Sequence, residues 1–366
     1  MPHEEQPGRV MTETPETISI REGEDFDHAA LATYLRDKLP FAERPLEVAQ
    51  FAGGHANLTY LLRYGDVEYV LRRPPLGPVA PTSHDMSREY RVLAVLHKGF
   101  RPAPRAYLFC EDAALIGAPF FVMERRCGIV VRRAIPAEYG GGNDPAINRR
   151  ISEVLIDTLA DFHDVDARAV GLGDLGRPDG FMRRQIDGWM GRYERAKTQD
   201  IAVTAELYQW LCDHLPPSPA PTLLHNDWRL DNMMLDAKDP GRCEAVFDWD
   251  MCTVGDPFAD LGTLLSAWTE ASEGGGTPGQ VGMPSNVAGF LTRREAVDRY
   301  GKRRGVDVSQ VPFYYIFGVF KIAVVLQQIY HRYHVGQTKD QRFQPFGQAA
   351  ELLFWKAKEC TNNPAL

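Results

Sequence analysis

The chain of 366 residues is short of several features that would point it elsewhere. Its six cysteines, at 110, 127, 212, 243, 252 and 360, form no C-x-x-C pair. Neither a zinc site nor a disulfide framework is expected, and a reduced cytoplasmic protein fits best. The N-terminus, MPHEEQPGRVMTETPETISI, lacks the apolar core of a signal peptide and carries acids near its start, so no export signal is read. The most apolar long run, 311–333, is broken by Lys321, Gln327, Gln328, His331 and Arg332. That pattern predicts a buried helix and no membrane span. No basic stripe with interleaved aromatics marks a nucleic-acid surface. Oligomeric state has no legible signal.

What is present begins with size. At this length one small core is exceeded, and two lobes are the natural expectation. Hydrophobic residues at 44% and charged residues at 25% are ordinary for a globular protein. The net charge of −8 is uneven. Residues 1–40 hold nine acids and four bases, 61–150 fourteen bases and nine acids, and 151–366 22 bases and 29 acids. The basic section would attract phosphates; solvated surface charge would give the same imbalance, so this map decides nothing alone.

Along the chain, residues 1–24 read as a flexible tail, rich in Glu, Thr and Pro. A helix is predicted over 25–39, then strands over 46–51, 58–64 and 68–72 separated by Gly-Gly and Gly-Asp turns. A proline-rich loop leads to a helix over 86–98 that Ser83 or Asp85 can cap, and strands follow at 105–110 and 119–123. The expected product is a five-stranded antiparallel lobe with one inserted helix, 25–122, then a hinge at 123–130. A larger, mainly helical lobe fills 131–366, with helices over 147–165, 182–197, 204–215, 257–268, 293–304, 313–334 and 340–359. The fold class is therefore α+β and bilobal. Glycine-rich stretches at 139–144 and 273–286 read as surface loops, the second long enough to cover a substrate or to be merely mobile.

The most informative stretch reads LLHNDWRLDNMMLDAKDPGRCEAVFDWDMCTVGDPFADL, 223–261. It sets His225, Asp227 and Asn232 in the order H-x-D-x-x-x-x-N, and Asp248 follows the apolar Ala245-Val246-Phe247. Phosphoryl transfer from ATP asks for these side chains: one carboxylate to accept a hydroxyl proton, and an amide plus a second carboxylate to hold magnesium on the phosphates. Asp227 is the candidate proton acceptor, and Asn232 and Asp248 are the candidate metal ligands. A carboxylate ending a buried strand is costly without a cation, which Mg²⁺ would supply. Two readings stay open for Asp250, a second metal contact or a local hydrogen-bond acceptor. Asp256 and Asp260 are expected to cap the helix over 257–268, and His225 to brace the loop.

In the smaller lobe, Gly53 and Gly54 in FAGGHANLTYLL can form a turn whose N–H groups approach phosphates, or a plain hairpin. Arg72 closes a strand, where its guanidinium could clamp phosphates. Glu89 shares a helix face with Val92, Leu93 and Leu96, so it needs a cation, and Arg72 is the candidate. Strand alternation sends Arg73 to the opposite face.

With these residues the chain resembles the aminoglycoside phosphotransferase and choline kinase-like family, small-molecule kinases with a protein kinase-like fold. The resemblance covers roughly 30–340. His225, Asp227 and Asn232 match the family's catalytic motif, and Asp248 its metal-binding Asp, followed by Gly255-Asp256-Pro257. GGHANLTYLL, VLRRPP and HNDWRLDN look most like the branch related to kinase domains attached to some acyl-CoA dehydrogenases. The resemblance implies ATP (GTP being possible) and Mg²⁺ as cofactors, the adenine against backbone at Met123 and Glu124, and the phosphates under Gly53 and Gly54. The acceptor would be a small-molecule hydroxyl. Asn226 stands where the family often has Gly, and Arg72 where relatives use Lys; both leave the proton acceptor and metal ligands in place. A protein kinase would need D-F-G, A-P-E and an activation segment, none of which is read. A catalytically silent nucleotide-binding module is the alternative. Three acceptor chemistries remain open: an aminoglycoside needs acidic lining, a hydroxyacyl-CoA-like metabolite could use Arg132-Arg133 and Arg183-Arg184, and a choline-like amine could use Trp249 or Trp268 as an aromatic wall.

Overall fold

The structure, a computed structural model, describes residues 16–52, 57–75, 85–273, 282–362 and 366. It divides into two compact units, one of residues 1–94 and 104–125, the other of 95–103 and 126–366.

The first unit runs β1 (Thr17–Ile18), α1 (His28–Leu35), β2 (Glu47–Phe51), β3 (Leu58–Tyr64), β4 (Val67–Arg73), α2 (Met86–Leu96, whose last residues belong to the second unit), β5 (Ala106–Cys110), α3 (Ala113–Ile116) and β6 (Phe120–Glu124). Its strands form one antiparallel sheet in the order β1-β2-β3-β4-β6-β5. Alternation in β3 turns Leu58, Tyr60, Leu62 and Tyr64 onto one face, where they pack with Leu31 and Leu35 of α1 and Phe120 and Val122 of β6. Asp27 caps α1 by accepting from the Ala30 N–H at 2.9 Å, and Asp85 accepts from the Ser87 and Arg88 amides at the start of α2. The sheet has six strands among the described residues where five were expected. Thr17 and Ile18 pair with Phe51 and Gln50, and the Glu24 carbonyl accepts from Tyr60 Oη at 2.6 Å. Residues 16–24 are thus tied to the sheet and are not the end of a flexible tail. A two-residue strand carries no legible alternation of its own, which is why the sequence hid it.

The second unit contains β7 (Ile129–Val130), α4 (Pro145–His163), α5 (Phe181–Ala196), α6 (Val203–Asp213), β8 (Thr222–Leu224), β9 (Met233–Leu235), β10 (Cys243–Val246), β11 (Thr253–Gly255), α7 (Pro257–Ser266), α8 (Arg293–Arg304), α9 (Val311–His334) and α10 (Phe346–Asn362). Two small antiparallel sheets, β10-β9-β7 and β11-β8, carry the segments around 225–232 and 248. The residues from 129 read as hinge are strand, paired to β9. Helix α10 begins later than predicted because Asp340 caps a separate 3₁₀ turn, Gln341–Phe343, and Pro345 precedes the helix.

Helix α9 is long and apolar enough to cross a membrane by length and composition, yet two-thirds of its most apolar window is buried in the protein. It is a core helix, packed against α7, α10 and α5. Its crossing with α7 is built on facing glycines. A Cβ on Gly262 would meet the Tyr314 carbonyl oxygen at 2.2 Å, and one on Gly318 would meet the Gly262 carbonyl oxygen at 2.4 Å. Both obstacles are backbone, so neither helix can yield by turning a side chain. Gly318→Ala is therefore expected to lower stability by about 3 kcal/mol, at the upper end of overpacking costs. Denaturant unfolding checks this: a midpoint unchanged from wild type would show that the helices are not held this close.

Candidate active site

The site is built on the loop joining β8 to β9. Register with β11 places Leu224 opposite Thr253, so the loop leaves the sheet at His225. Two residues later Asp227 begins a chain of hydrogen bonds that closes on itself. The Asp227 N–H donates to His225 Nδ1 at 3.3 Å, and His225 Nε2 donates to the Phe247 carbonyl at 2.8 Å. The Phe247 N–H donates to the Asn232 carbonyl at 2.8 Å. Asn232 Nδ2 then returns to Asp227, donating to its carbonyl and to Oδ2, both at 2.9 Å. This ring joins residues 22 positions apart and sets Asp248, the next residue after Phe247, beside Asn232. It also defines the neutral His225 tautomer, with the proton on Nε2, because Nδ1 accepts. The ring of His225 is fully buried against Trp249 and Trp228, at centroid distances of 4.7 and 5.6 Å. His225 therefore braces the loop.

Two residues here hold left-handed backbone: Asn226 at φ 68° and Asp248 at φ 67°. Asn and Asp tolerate this region better than other side-chain-bearing residues, so Asn226 does what a glycine would do there. Such conformations persist when their surroundings over-determine them. The Asn226 N–H donates to Asp260 Oδ1 at 2.7 Å and the His225 N–H to Asp260 Oδ2 at 2.6 Å. The Asn226 side chain donates to the Met251 carbonyl at 2.8 Å. Asp260, expected to cap α7, instead clamps this loop from within the helix, and capping falls to Asp256, which accepts from the Phe258 N–H at 3.0 Å. Burial alone would raise the Asp260 carboxyl, but the His163 ring at 3.4 Å and His225 outweigh it and hold it below the ordinary value. Burial raises Asp256 in spite of the hydrogen bond from Tyr314 Oη.

Asp227, Asn232 and Asp248 are all half-buried. Asn232 directs its nitrogen at Asp227, which leaves its amide oxygen as the available donor to a cation. Among the described residues no three His, Cys, Asp or Glu side chains gather as a self-sufficient metal cage. One carboxylate and one amide oxygen do suit Mg²⁺, which takes few protein ligands and completes its shell with phosphates and water. Asp250 does not continue a strand from Asp248, because β10 ends at Val246 and the chain has already turned at Asp248.

In the first unit, Arg72 Nη1 and Glu89 Oε1 lie 3.1 Å apart, with Glu89 1% exposed. Arg73 takes the other face, where its guanidinium donates to the Ile116 carbonyl at 2.6 Å and to Tyr60 Oη at 3.0 Å. Met123 is buried in β6, paired with Val70; Glu124 ends the strand, its carboxylate accepting from the Arg105 N–H at 3.1 Å. Gly53 and Gly54 lie outside the described residues, as does Ser83 and most of the 273–286 loop.

Several sequence expectations about the acceptor end do not hold. Trp249 and Trp268 are buried, their indole N–H groups donating to the Val246 and Leu291 carbonyls, so neither offers an aromatic wall. Arg183 is paired with Asp187 at 3.0 Å, and Arg184 donates to the carbonyls of Asp179 and Arg177. Arg132 and Arg133 are exposed. Sequence reasoning missed a groove of about 530 Å³ where Arg192 and Arg195 of α5 face Arg332 and Gln328 of α9. Among the described residues none of these three arginines has a carboxylate within ion-pair distance. Burial, with repulsion from Arg195, holds the Arg192 guanidinium below its ordinary value, and Arg192 stacks over the Trp189 ring at 4.3 Å. Lys321 lies on the same stripe of α9 as Gln328 and Arg332, at spacings of seven and eleven residues. Its Nζ donates to the Asn226 carbonyl at 3.1 Å. A charge in the middle of an apolar helical run was the available signal, and it was read only as one of several interruptions.

Known proteins are similar to this chain at several levels. Residues 47–285 match the model of the phosphotransferase enzyme family. The chain is 33% identical over 361 residues to acyl-CoA dehydrogenase family member 11 of Gallus gallus, covering 95% of this chain and 45% of that protein. It is 32% identical over 344 residues to acyl-CoA dehydrogenase family member 10 of Mus musculus, covering 93% and 31%. The chain thus spans less than half the length of these curated relatives. A crystal structure of a putative aminoglycoside phosphotransferase from Ralstonia eutropha superposes with a TM-score of 0.77 at 30% identity, covering 92% of this chain and 99% of that one. The aminoglycoside phosphotransferase APH(4)-Ia, in a ternary complex with ADP and hygromycin B, shares the fold at 12% identity and a TM-score of 0.57, covering 90% and 98%. With the family model matched over most of both units and a solved relative alike over nearly its whole length, the chain belongs to the phosphotransferase enzyme family and is a small-molecule kinase.

Proposed function

We propose that the protein transfers the γ-phosphoryl group of ATP, in a Mg²⁺-dependent reaction, to a hydroxyl of a small acidic molecule such as a hydroxyacyl-CoA-like metabolite. The observation that carries this reading is the closed hydrogen-bond ring through Asp227, His225, Phe247 and Asn232. It holds a carboxylate, an amide oxygen and a second carboxylate together on otherwise unrelated segments. Asp227 orients the acceptor hydroxyl and takes its proton, with Oδ2 steadied by Asn232 and Oδ1 turned to the acceptor. Asn232 and Asp248 hold the metal, which offsets the charge developing on the phosphates. In the first unit, Arg72 contacts the α and β phosphates with Glu89 fixing its guanidinium, and the backbone at Met123 and Glu124 meets the base. Preorganised charge and position supply the catalysis. GTP is the alternative donor.

The acidic acceptor is supported by the unpaired arginines of the α5–α9 groove, which would repel a polycationic aminoglycoside and attract phosphates. Arg332 lies eleven residues from Lys321, roughly 16 Å along the helix, so an acceptor anchored there must be elongated. The names of the curated relatives agree with a coenzyme A thioester. A cytoplasmic setting is supported by six free cysteines.

A thermal melt with and without Mg-ATP tests the nucleotide half. At about a hundred times its Kd the ligand should stabilise the protein by about 2.7 kcal/mol, and only with magnesium present. No shift with ATP or GTP would leave a catalytically silent module. The acceptor half is tested by ADP release across a panel of acidic, neutral and cationic alcohols. Turnover confined to cationic amines would overturn the acidic-acceptor reading.

A further inference from the structure

We propose that Lys321 is a positioning residue for Asp227, acting by holding the peptide between Asn226 and Asp227. The inference rests on the reading of Asp227 given above. Asn226 is gripped from both sides. Its N–H is bound by Asp260 Oδ1 at 2.7 Å, and its carbonyl oxygen accepts from Lys321 Nζ at 3.1 Å. The N–H of the same 226–227 peptide goes to His225 Nδ1, at 3.3 Å. This peptide turns about ψ of Asn226 and φ of Asp227, and Lys321 is the cationic donor that holds its carbonyl against that rotation. A flipped peptide carries Asp227 with it and opens the ring at His225.

The setting of the ammonium argues for a role other than stability. Lys321 is the one charged residue in the apolar stretch from Val311 to Leu326 of this core helix, with no carboxylate within ion-pair distance among the described residues. The charges of Asp227 and Asp260 favour its charged form and Arg192 opposes it, but burial dominates and holds its pKa below the ordinary lysine value. The Trp189 ring lies 5.6 Å away. A half-buried cation bonded to one neutral carbonyl is an expensive way to stabilise a helix, and a methionine of similar shape would fit better.

The test is Lys321→Met beside Lys321→Arg. K321M should keep or raise the melting temperature and leave the Mg-ATP shift and the KM for ATP within about twofold. The kcat should fall about 30-fold, since a misplacement of 1 Å at a reacting group costs up to about a hundredfold. K321R, which restores a cationic donor, should recover at least a third of the wild-type kcat. In K321M the amides of 226–228 should exchange with solvent about tenfold faster while those of α9 do not change. Unchanged exchange in 226–228 would overturn the inference whether or not an acceptor has been found. So would a kcat that stays at the wild-type value, or a kcat loss that merely follows a lowered melting temperature. Absence of turnover in the wild type would instead sink the kinase reading and leave the exchange result to decide the positioning.

Discussion

Asp227→Asn is expected to reduce kcat by about a thousandfold, within the range that a positioned general base contributes. The substitution is nearly silent for the fold. The main-chain N–H to His225 and the Asn232 bond to the main-chain carbonyl both survive, and an asparagine oxygen can still accept from Asn232. What is lost is the ability to take a proton and the negative charge beside the acceptor hydroxyl. Mg-ATP should therefore bind the variant as it binds wild type. Steady-state ADP release with an identified acceptor, read against the nucleotide melt shift, separates these effects. Wild-type turnover in the variant would remove Asp227 from the chemistry.

The second large effect is expected at Asp248. A metal on transferring phosphates is worth several kcal/mol, so Asp248→Asn should lower kcat/KM by at least a few hundredfold. The magnesium-dependent melt shift should disappear with it. Asparagine is the informative replacement here. It tolerates the left-handed backbone at φ 67°, whereas alanine would add roughly 1–2 kcal/mol of strain and mix a folding defect with a binding one. Titrating Mg²⁺ into the variant provides the check. If the half-saturating magnesium concentration does not rise, Asp248 is not the ligand.

How much of this was visible in the linear chain depends on range. Helices such as α4 and α8 announced themselves by period, and Leu58–Tyr64 by alternation, because those signals are local. The 225–248 stretch was legible because its residue types are rare in that order. The Arg72–Glu89 pair was legible because a carboxylate on a buried helix face demands a cation. The failures are all tertiary. Nothing near Asp260 in sequence says that its carboxylate will accept two amides from 34 and 35 residues earlier. Trp249 and Trp268 have the composition of a binding wall, but only packing decides that they are buried. The arginine groove needs α5 and α9 brought side by side, and Arg183 and Arg184, a more conspicuous pair, turn out to be engaged locally.

The glycine crossing of α7 and α9 has a consequence for the order of events in folding. Asp260 lies two residues before Gly262 and Lys321 three residues after Gly318, so the two grips on Asn226 are delivered by one helix contact. A nascent chain released only as far as β11 already holds the ring residues, but neither grip. Recovery of activity after dilution from denaturant should accordingly lag behind recovery of helical signal, with a delay set by the docking of α9. Catalytic competence would then report the last packing step of the second unit, and a substitution that slows the crossing would lengthen the delay without touching the loop.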